Sequence, residues 1–534
     1  FDDYGFRNPR PALGSLASKV LFATSRVAGH TFHALRLAAR AVRRKPARVQ
    51  RILIVRHTYL GDLVVFTSAL QALRQAFPTA HVTLGVQRGM RVGGLLGAAN
   101  RAGAERAAGE RPLVDDVIEL DFMAARPLSK LLGMLRLFAR GYDAVLSGLG
   151  FFLREESFFS GAPRLIGLYN GHPWQRLLTR ALPLDTSEHE VDVNVRLVEL
   201  LAGRPLPRPR PRLGVDADAS ARSAARALTT LAVPATAEFV VVHAAARKAT
   251  RQWPEERFAE LMQRVLATRP GLHVVFTGVH AEAPLYRRIT AMVPAPLRPR
   301  LHDATGHTDV DGLVGLLRRA RAAVCNDSGV MHLARTVGTP LLALLGPENE
   351  ARWGPYPHGP GPAIALRTVV PCAPCARRSC EALWCMKSLT VDNVAQQLAR
   401  LLDAPRPLAS QRPLAAPGAA PAARADADEP SQPLELHRQR RTFADLARDF
   451  DLPVLAVLSA PPDLLRTLLG LAADADERER NAPDARAADG GYPRLEPVRL
   501  DAQPPARGTA DAWDRAQRNS SGELLAIAEP RSAF

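Results

Sequence analysis

The sequence predicts an α/β protein made of two successive parallel-sheet domains. Short apolar runs such as ILIV at 52–55 and VVVH at 240–243 alternate with stretches of helical periodicity. These runs are continuously apolar over three or four residues instead of alternating with polar ones, as expected of strands covered on both faces. A proline-rich crossing at 203–215, GRPLPRPRPRLGV, separates the two series. At 534 residues the chain is also too long for one hydrophobic core.

In order, residues 1–49 form a basic extension. The first 56 residues carry 12 Lys or Arg and only two acids, Asp2 and Asp3. Residues 12–45 have no acid and place Leu16, Val20, Leu21, Val27, Phe32, Leu35 and Leu37 at helical spacing, with arginines elsewhere. This reads either as an amphipathic helix on an anionic membrane or as a helix packed on its own protein. No apolar run reaches the ~18 residues of a bilayer-spanning helix, and no compact signal-peptide core is evident. A cytoplasmic location is the expectation, peripheral to the inner membrane if the helix binds it.

Residues 50–202 read as the first domain, beginning with a strand at 52–55, the loop HTYLGD and a helix over 63–77 that Pro78 ends. HVTLGV from His81 and pieces near Val117, Val145 and Ile166 continue the sheet. Residues 203–236 are the interdomain crossing and approach. Residues 237–403 form a second domain with strands in EFVVVHAA, LHVVFTG, AAVCND and LLALLG. Residues 404–432 are rich in Pro, Ala and Asp and read as a linker. Residues 433–534 read as a small helical appendage, with helical periodicity over 435–470, and a poorly ordered tail.

Three segments carry chemistry. In HTYLGDLVVF, Gly61 permits a tight turn and Asp62 stands at the start of the helix. Asp62 is either an N-cap, worth ~1 kcal/mol, or a base accepting a proton from an attacking hydroxyl. Thr58 reads as a capping or packing group. In HAAARKATRQWPEERF, Pro254 suits the first helical position and Glu255 and Glu256 its first turn. Arg247, Lys248 and Arg251 in the preceding loop suit an anion. In the third, NDSGVMHLARTVGTPLLALLGPENEARWGP at 326–355, small polar residues open a helix after a strand, where an α/β protein holds phosphate. Ser328 and the amides of Ser328, Gly329 and Val330 suit a diphosphate. Asp327 suits a helix cap or a sugar hydroxyl, and His332 reads equally as structural or ligand-contacting. Gly346 and Pro347 form the next strand-end loop, with Glu348, Asn349 and Arg352 at hand.

Cys372, Cys375, Cys380 and Cys385 fall within 14 residues with spacing C-x2-C-x4-C-x4-C. Structural zinc leads, iron–sulfur follows, and unpaired thiols or a labile disulfide are the alternative. Cys325 reads as core. Dinucleotide GxGxxG and P-loop GxxxxGK[ST] motifs are absent, as are GxSxG and HExxH. Formal charge is +17, but without an aromatic-interleaved basic platform, so nucleic acid is not expected.

RILIVRHTYLGDLVVFTSALQALRQAFPTAHV, HAAARKATRQWPEERFAEL, NDSGVMHLARTVGTPLLALLGP, ARWGP and the cysteine stretch followed by SLTVDNV, in this order, resemble the bacterial heptosyltransferase family. These are the ADP-heptose:lipopolysaccharide transferases of glycosyltransferase family 9. The resemblance covers roughly residues 50–403. It implies a GT-B fold, two Rossmann-like domains facing a cleft, and inverting transfer with no cofactor required for catalysis.

By that resemblance Asp62 matches the general base, with His57, Thr58 and Gly61 on the acceptor side. Arg251 stands where some members have a phosphate-contacting lysine, keeping the charge and changing the geometry. Asp327, Ser328, Gly329 and His332 match the donor-binding loop, which Arg247, Lys248 and Gly346 adjoin. Glu282 roughly matches an acid contacting the nucleotide, although VHAEA departs from the usual pattern. The implied partners are a nucleotide sugar, ADP-heptose foremost, and a lipid-linked glycan acceptor at an anionic membrane. A same-family transferase using another sugar, or a non-catalytic nucleotide-sugar-binding or assembly protein, stands as the alternative.

Overall fold

The computed structural model describes residues 48–56, 59–87, 96, 112–120, 135–147, 160–169, 178–183, 187–370, 372–375, 377–405 and 431–441. His57, Thr58, the basic segment 12–45, most of the 404–432 linker and the expected tail lie outside these residues. The described chain falls into two compact units. One takes the chain up to Tyr59, Phe66–Leu184 and Asp192–Pro209; the other takes Leu60–Val65, Asp185–Val191 and the chain from Arg210 on.

The first unit is built on β1 (Arg51–Val55), β2 (His81–Gln87), β3 (Asp116–Leu120), β4 (Ala144–Ser147), β5 (Arg164–Tyr169) and β6 (Arg180–Pro183). Their order is β3-β2-β1-β4-β5-β6, all parallel, with Ile54 opposite both Leu84 and Leu146. This is the doubly wound order whose switch point lies between the first and fourth strands. Leu53, Val55, Leu120, Leu137, Tyr142, Val145 and Leu165 form a core on the sheet. Strand β6 was not foreseen, because RALP buries one residue of four and has no apolar run.

The second unit contains β7 (Glu238–His243), β8 (Leu272–Phe276), β9 (Leu301–Asp303), β10 (Ala322–Asn326), β11 (Leu341–Leu345), β12 (His358–Gly359), β13 (Ala363–Val369) and β14 (Gln432–Arg440). Its order is β12-β14-β13-β11-β10-β7-β8-β9, parallel except where β12 meets β14. From β9 to β13 the same doubly wound order recurs, so the switch point falls between β7 and β10. A core including Val240, Trp253, Phe258, Phe276, Tyr286, Val324, Leu344, Ile364 and Leu398 fills this unit.

Several expectations are corrected here. The helix after β1 runs Leu60–Ala76, so Gly61 and Asp62 lie inside its first turn, and Asp62 is its third residue instead of its cap. Pro254 occupies the cap of the helix Glu255–Thr268 and not its first position. Within the 203–236 approach, Ala217–Thr230 is helical, capped by Asp216 accepting from Ala219 N–H at 2.8 Å. The appendage does not open as a helix: residues 432–440 form β14, paired parallel with β13 from Ala363↔Leu434 to Val369↔Arg440. PLELHRQR alternates with period 2, and the ladder offered by β13 outweighs the helical reading of its leucines.

Candidate functional site

The site described here lies within the second unit, at the carboxyl ends of β7, β10 and β11. Asn326 ends β10 and is fully buried. Its amide donates to Ala244 O at 2.6 Å, and its Oδ1 accepts from Trp253 N–H at 3.2 Å. The Trp253 indole donates to Leu389 O at 2.9 Å. One side chain thus fastens the loop after β7 to the loop after β10, holding the basic segment beside Asp327. The residue read as part of a polar loop acts as a staple, a role that its type alone did not reveal.

Between these staples Ala249–Arg251 forms one 3₁₀ turn. Arg251 reaches Glu348 Oε1 through Nη2 at 2.7 Å and Nε at 3.1 Å, and Asp327 Oδ2 through Nη1 at 3.4 Å. Lys248 Nζ lies 2.9 Å from the same Glu348 oxygen. Burial works against the charge on Arg251, but the carboxylates of Asp327 and Glu348, with Asp62 adding to them, raise its pKa further. Burial likewise opposes the charge on Glu348, and Arg251 and Lys248 hold that carboxylate below its usual range. Buried Asp327 is pushed up by desolvation against the pull of Arg251. Gly346 makes this packing feasible, because a Cβ there would lie 3.2 Å from Thr250 O, 3.5 Å from Arg251 Cα and 2.8 Å from Met386 Sδ.

Ser328 caps the helix Gly329–Val337 by position, without a side-chain cap bond, and its buried Oγ has no hydrogen-bond partner. Asp327 is therefore not the cap, since Arg251 engages it instead. Gly338, at φ 84°, ends the helix in the left-handed region that glycine tolerates. The first turn of the Leu60–Ala76 helix abuts the start of this helix. A Cβ on Gly61 would sit 3.0 Å from Gly329 Cα and 3.0 Å from His332 Cδ2; one on Gly329 would sit 2.9 Å from Gly61 N. Two helix N-termini, each a locus of partial positive charge, converge there. Asp62 is close enough to act electrostatically on Arg251.

His332 is held neutral: burial, then His189 and Arg251, depress its pKa to about 3. Burial takes His189 to about 4, against its bond to Gly354. His189 Nε2 lies 3.0 Å from Gly354 O, and its Nδ1 accepts from Val191 N–H at 3.1 Å, assigning the proton to Nε2. Beside it, Arg352 and Glu190 pair at 2.9 Å with side chains 6% and 1% exposed. The sequence supplied no signal for this pairing across 162 positions.

Glu282 lies in the turn after β8, close enough to His243 at the end of β7 to act on it electrostatically. Its Oε2 accepts from Val279 N–H at 2.9 Å, a local capping role. Arg247 follows β7, next to Lys248, in the same basic loop.

Among the cysteines, Cys372 is exposed, Cys375 and Cys380 are half-buried, and Cys385 is buried in the helix Trp384–Lys387. Burial first, then the neighbouring cysteines, push Cys372 to about 11 and Cys385 to about 12. Leu383 N–H donates to Cys380 Sγ at 3.3 Å. Among the described residues no group of three or more His, Cys, Asp or Glu is arranged to hold a metal ion.

Fold and site together define an α/β protein with two doubly wound parallel sheets and an arginine-centred loop cluster at the switch point of the second. Residues 157–384 match the model of glycosyltransferase family 9 (heptosyltransferase). It is 31% identical over 176 residues to lipopolysaccharide heptosyltransferase 1 of Pseudomonas aeruginosa, covering 30% of this chain and 46% of that protein. It is 31% identical over 108 residues to lipopolysaccharide heptosyltransferase 2 of Escherichia coli, covering 20% and 30%. The chain thus spans less than half the length of these relatives.

The solved ADP-heptose LPS heptosyltransferase II of E. coli superposes with a TM-score of 0.52 at 20% identity, covering 66% of this chain and 98% of that one. A glycosyl transferase family 9 protein of Veillonella parvula gives 0.53 at 21%, covering 66% and 97%. The fold is of this GT-B kind.

Proposed function

We propose that the chain is an inverting glycosyltransferase that moves heptose from ADP-heptose to a hydroxyl of a lipopolysaccharide core or related surface glycan. One observation carries the reading: the first turn bearing Asp62 abuts the Gly329 helix start beside Arg251. A carboxylate and an anion-binding cluster thereby share one locus.

In this mechanism the acceptor hydroxyl gives its proton to the Asp62 carboxylate as its oxygen attacks the anomeric carbon. The bond from that carbon to the diphosphate breaks, with inversion. Negative charge growing on the departing diphosphate is met by Arg251, by Lys248 and Arg247, and by the amides opening the Gly329–Val337 helix. The unpartnered Ser328 hydroxyl supplies a further donor. Arg251 is held in place by Glu348 before substrate arrives, so little reorganisation is needed as charge develops. His332 stays neutral and adds no competing charge.

A lipid-linked acceptor makes a membrane-surface role for residues 12–45 part of the same proposal. No helix among the described residues is long and apolar enough to cross a membrane. Flotation with anionic liposomes, comparing the chain with and without residues 1–48, tests it; equal binding removes the membrane role.

The C-x2-C-x4-C-x4-C spacing of Cys372, Cys375, Cys380 and Cys385 supports structural zinc at the cysteines. Elemental analysis finding no stoichiometric zinc or iron removes that part.

The reaction is tested by incubating the chain with a panel of nucleotide sugars and lipid-linked glycans, reading diphosphate release against donor-only hydrolysis. Asp62→Ala should abolish transfer while nucleotide binding persists. Wild-type turnover in that variant refutes the base assignment, and release from a different donor alone replaces ADP-heptose.

A further inference from the structure

Strand β14 lies beyond the family-matched residues, which end at 384, and its Arg438 reaches the turn that carries Glu348. On adjacent parallel strands, Arg367 of β13 and Arg438 of β14 are register partners. Two like charges side by side on one sheet repel unless an anion answers both. That anion is Glu350, whose side chain is only 4% exposed. Its Oε2 pairs with Arg367, and its Oε1 takes Arg438 through Nη2 at 3.0 Å and Nε at 3.1 Å.

Glu350 begins the one-turn helix Glu350–Trp353, two positions after Glu348, the residue that orients Arg251 and Lys248. Asn349 between them caps the helix by accepting from Ala351 N–H at 3.0 Å. The turn therefore has Glu348 facing the basic loop and Glu350 facing the two strand arginines. The start of β14 is fixed independently, since Arg335 donates to Gln432 O at 2.8 Å while also binding the carbonyls of Tyr356, Pro357 and Gly361.

We infer that Arg438 is a positioning residue: through Glu350 it sets the turn that carries Glu348, and so the pose of Arg251 toward a nucleoside diphosphate. The strand following the linker thus completes the anion site, besides adding an edge to the sheet. The inference rests on the reading of Arg251 as the diphosphate-binding group.

The test uses the full chain and ADP as the probe, with donor KM and kcat measured beside ADP affinity. Arg438→Leu should weaken ADP binding and raise donor KM roughly 3- to 10-fold, with a smaller change in kcat. Arg438→Lys, which keeps the charge opposite Glu350, should recover most of the affinity. Glu435→Gln removes a surface pair of the same strand, to Arg400 at 3.0 Å, and should behave as wild type. That control separates a loosened strand from a lost brace.

Arg251→Gln reports on the underlying site. Loss of ADP binding there with wild-type affinity in Arg438→Leu overturns the brace alone. Wild-type affinity in both overturns the site reading and the brace with it. An equal loss in Glu435→Gln also overturns the brace, since it assigns the effect to the strand as a whole.

Discussion

Gly61 and Gly329 let two helix N-termini touch: a Cβ on Gly329 would stand 2.9 Å from the Gly61 amide nitrogen. No side chain fits between these backbones, and the approach fixes where Asp62 stands relative to Arg251. Alanine at either position forces the helices apart. The expected cost is about 1–3 kcal/mol of stability, with a disproportionate loss of transfer because the two halves of the chemistry separate. Denaturant titration and diphosphate release on the same samples check this. Wild-type activity in Gly329→Ala would show that the contact does not set the site.

Arg251→Lys keeps a charge but gives up the fork that spans Glu348 and Asp327. Donor KM should rise by roughly tenfold. Arg251→Gln, which loses the charge as well, should cost transfer about 10²-fold. Steady-state kinetics at saturating acceptor distinguish the two, and equal behaviour of both variants would count against a bidentate role.

The pH dependence of stability has a definite sign. His189 and His332, ordinarily near 6.5, are depressed to about 4 and about 3 in the folded chain. The unfolded chain therefore binds more protons below about pH 6.5. Stability from keeping both rings neutral is fully present above that pH and is lost as pH falls toward 4, then 3. Thermal melts from pH 7.5 to 4.5 should show a declining midpoint. His189→Gln should flatten that decline, and an unchanged slope would show that this histidine contributes none of it.

Glu190 and Arg352 form a buried ion pair, so removing one partner leaves the other's charge stranded. Glu190→Leu or Arg352→Met alone should destabilise by about 3–5 kcal/mol. The double variant should cost less than the sum of the two. A thermal double-mutant cycle measures this, and strict additivity would mean the pair is not coupled.

The parallel-sheet class was legible because β1, β7, β10 and β11 are built on apolar runs, a pattern that arises when both sheet faces are covered. Strands β6, β9 and β12 were not legible, being edges too short to carry a pattern. β13 was missed behind the glycine and proline of 358–362. β14 was misread because leucines spaced two apart serve a strand or a helix equally until a partner ladder is present.

Sequence alone placed the chemistry-bearing segments, since residue types following strands dictate where small polar loops and basic residues fall, and the family resemblance gave them expected roles. It named Asp62, Arg251, Asp327 and Ser328, but it could not pair them. Only the tertiary structure decided that Glu348 orients Arg251, that Asn326 staples two loops and that Arg438 answers Glu350. Those are contacts between residues separated by up to 97 positions, set by strand order and register. Local propensity carries no information about such partners, because the geometry that joins them exists only once the sheet has formed.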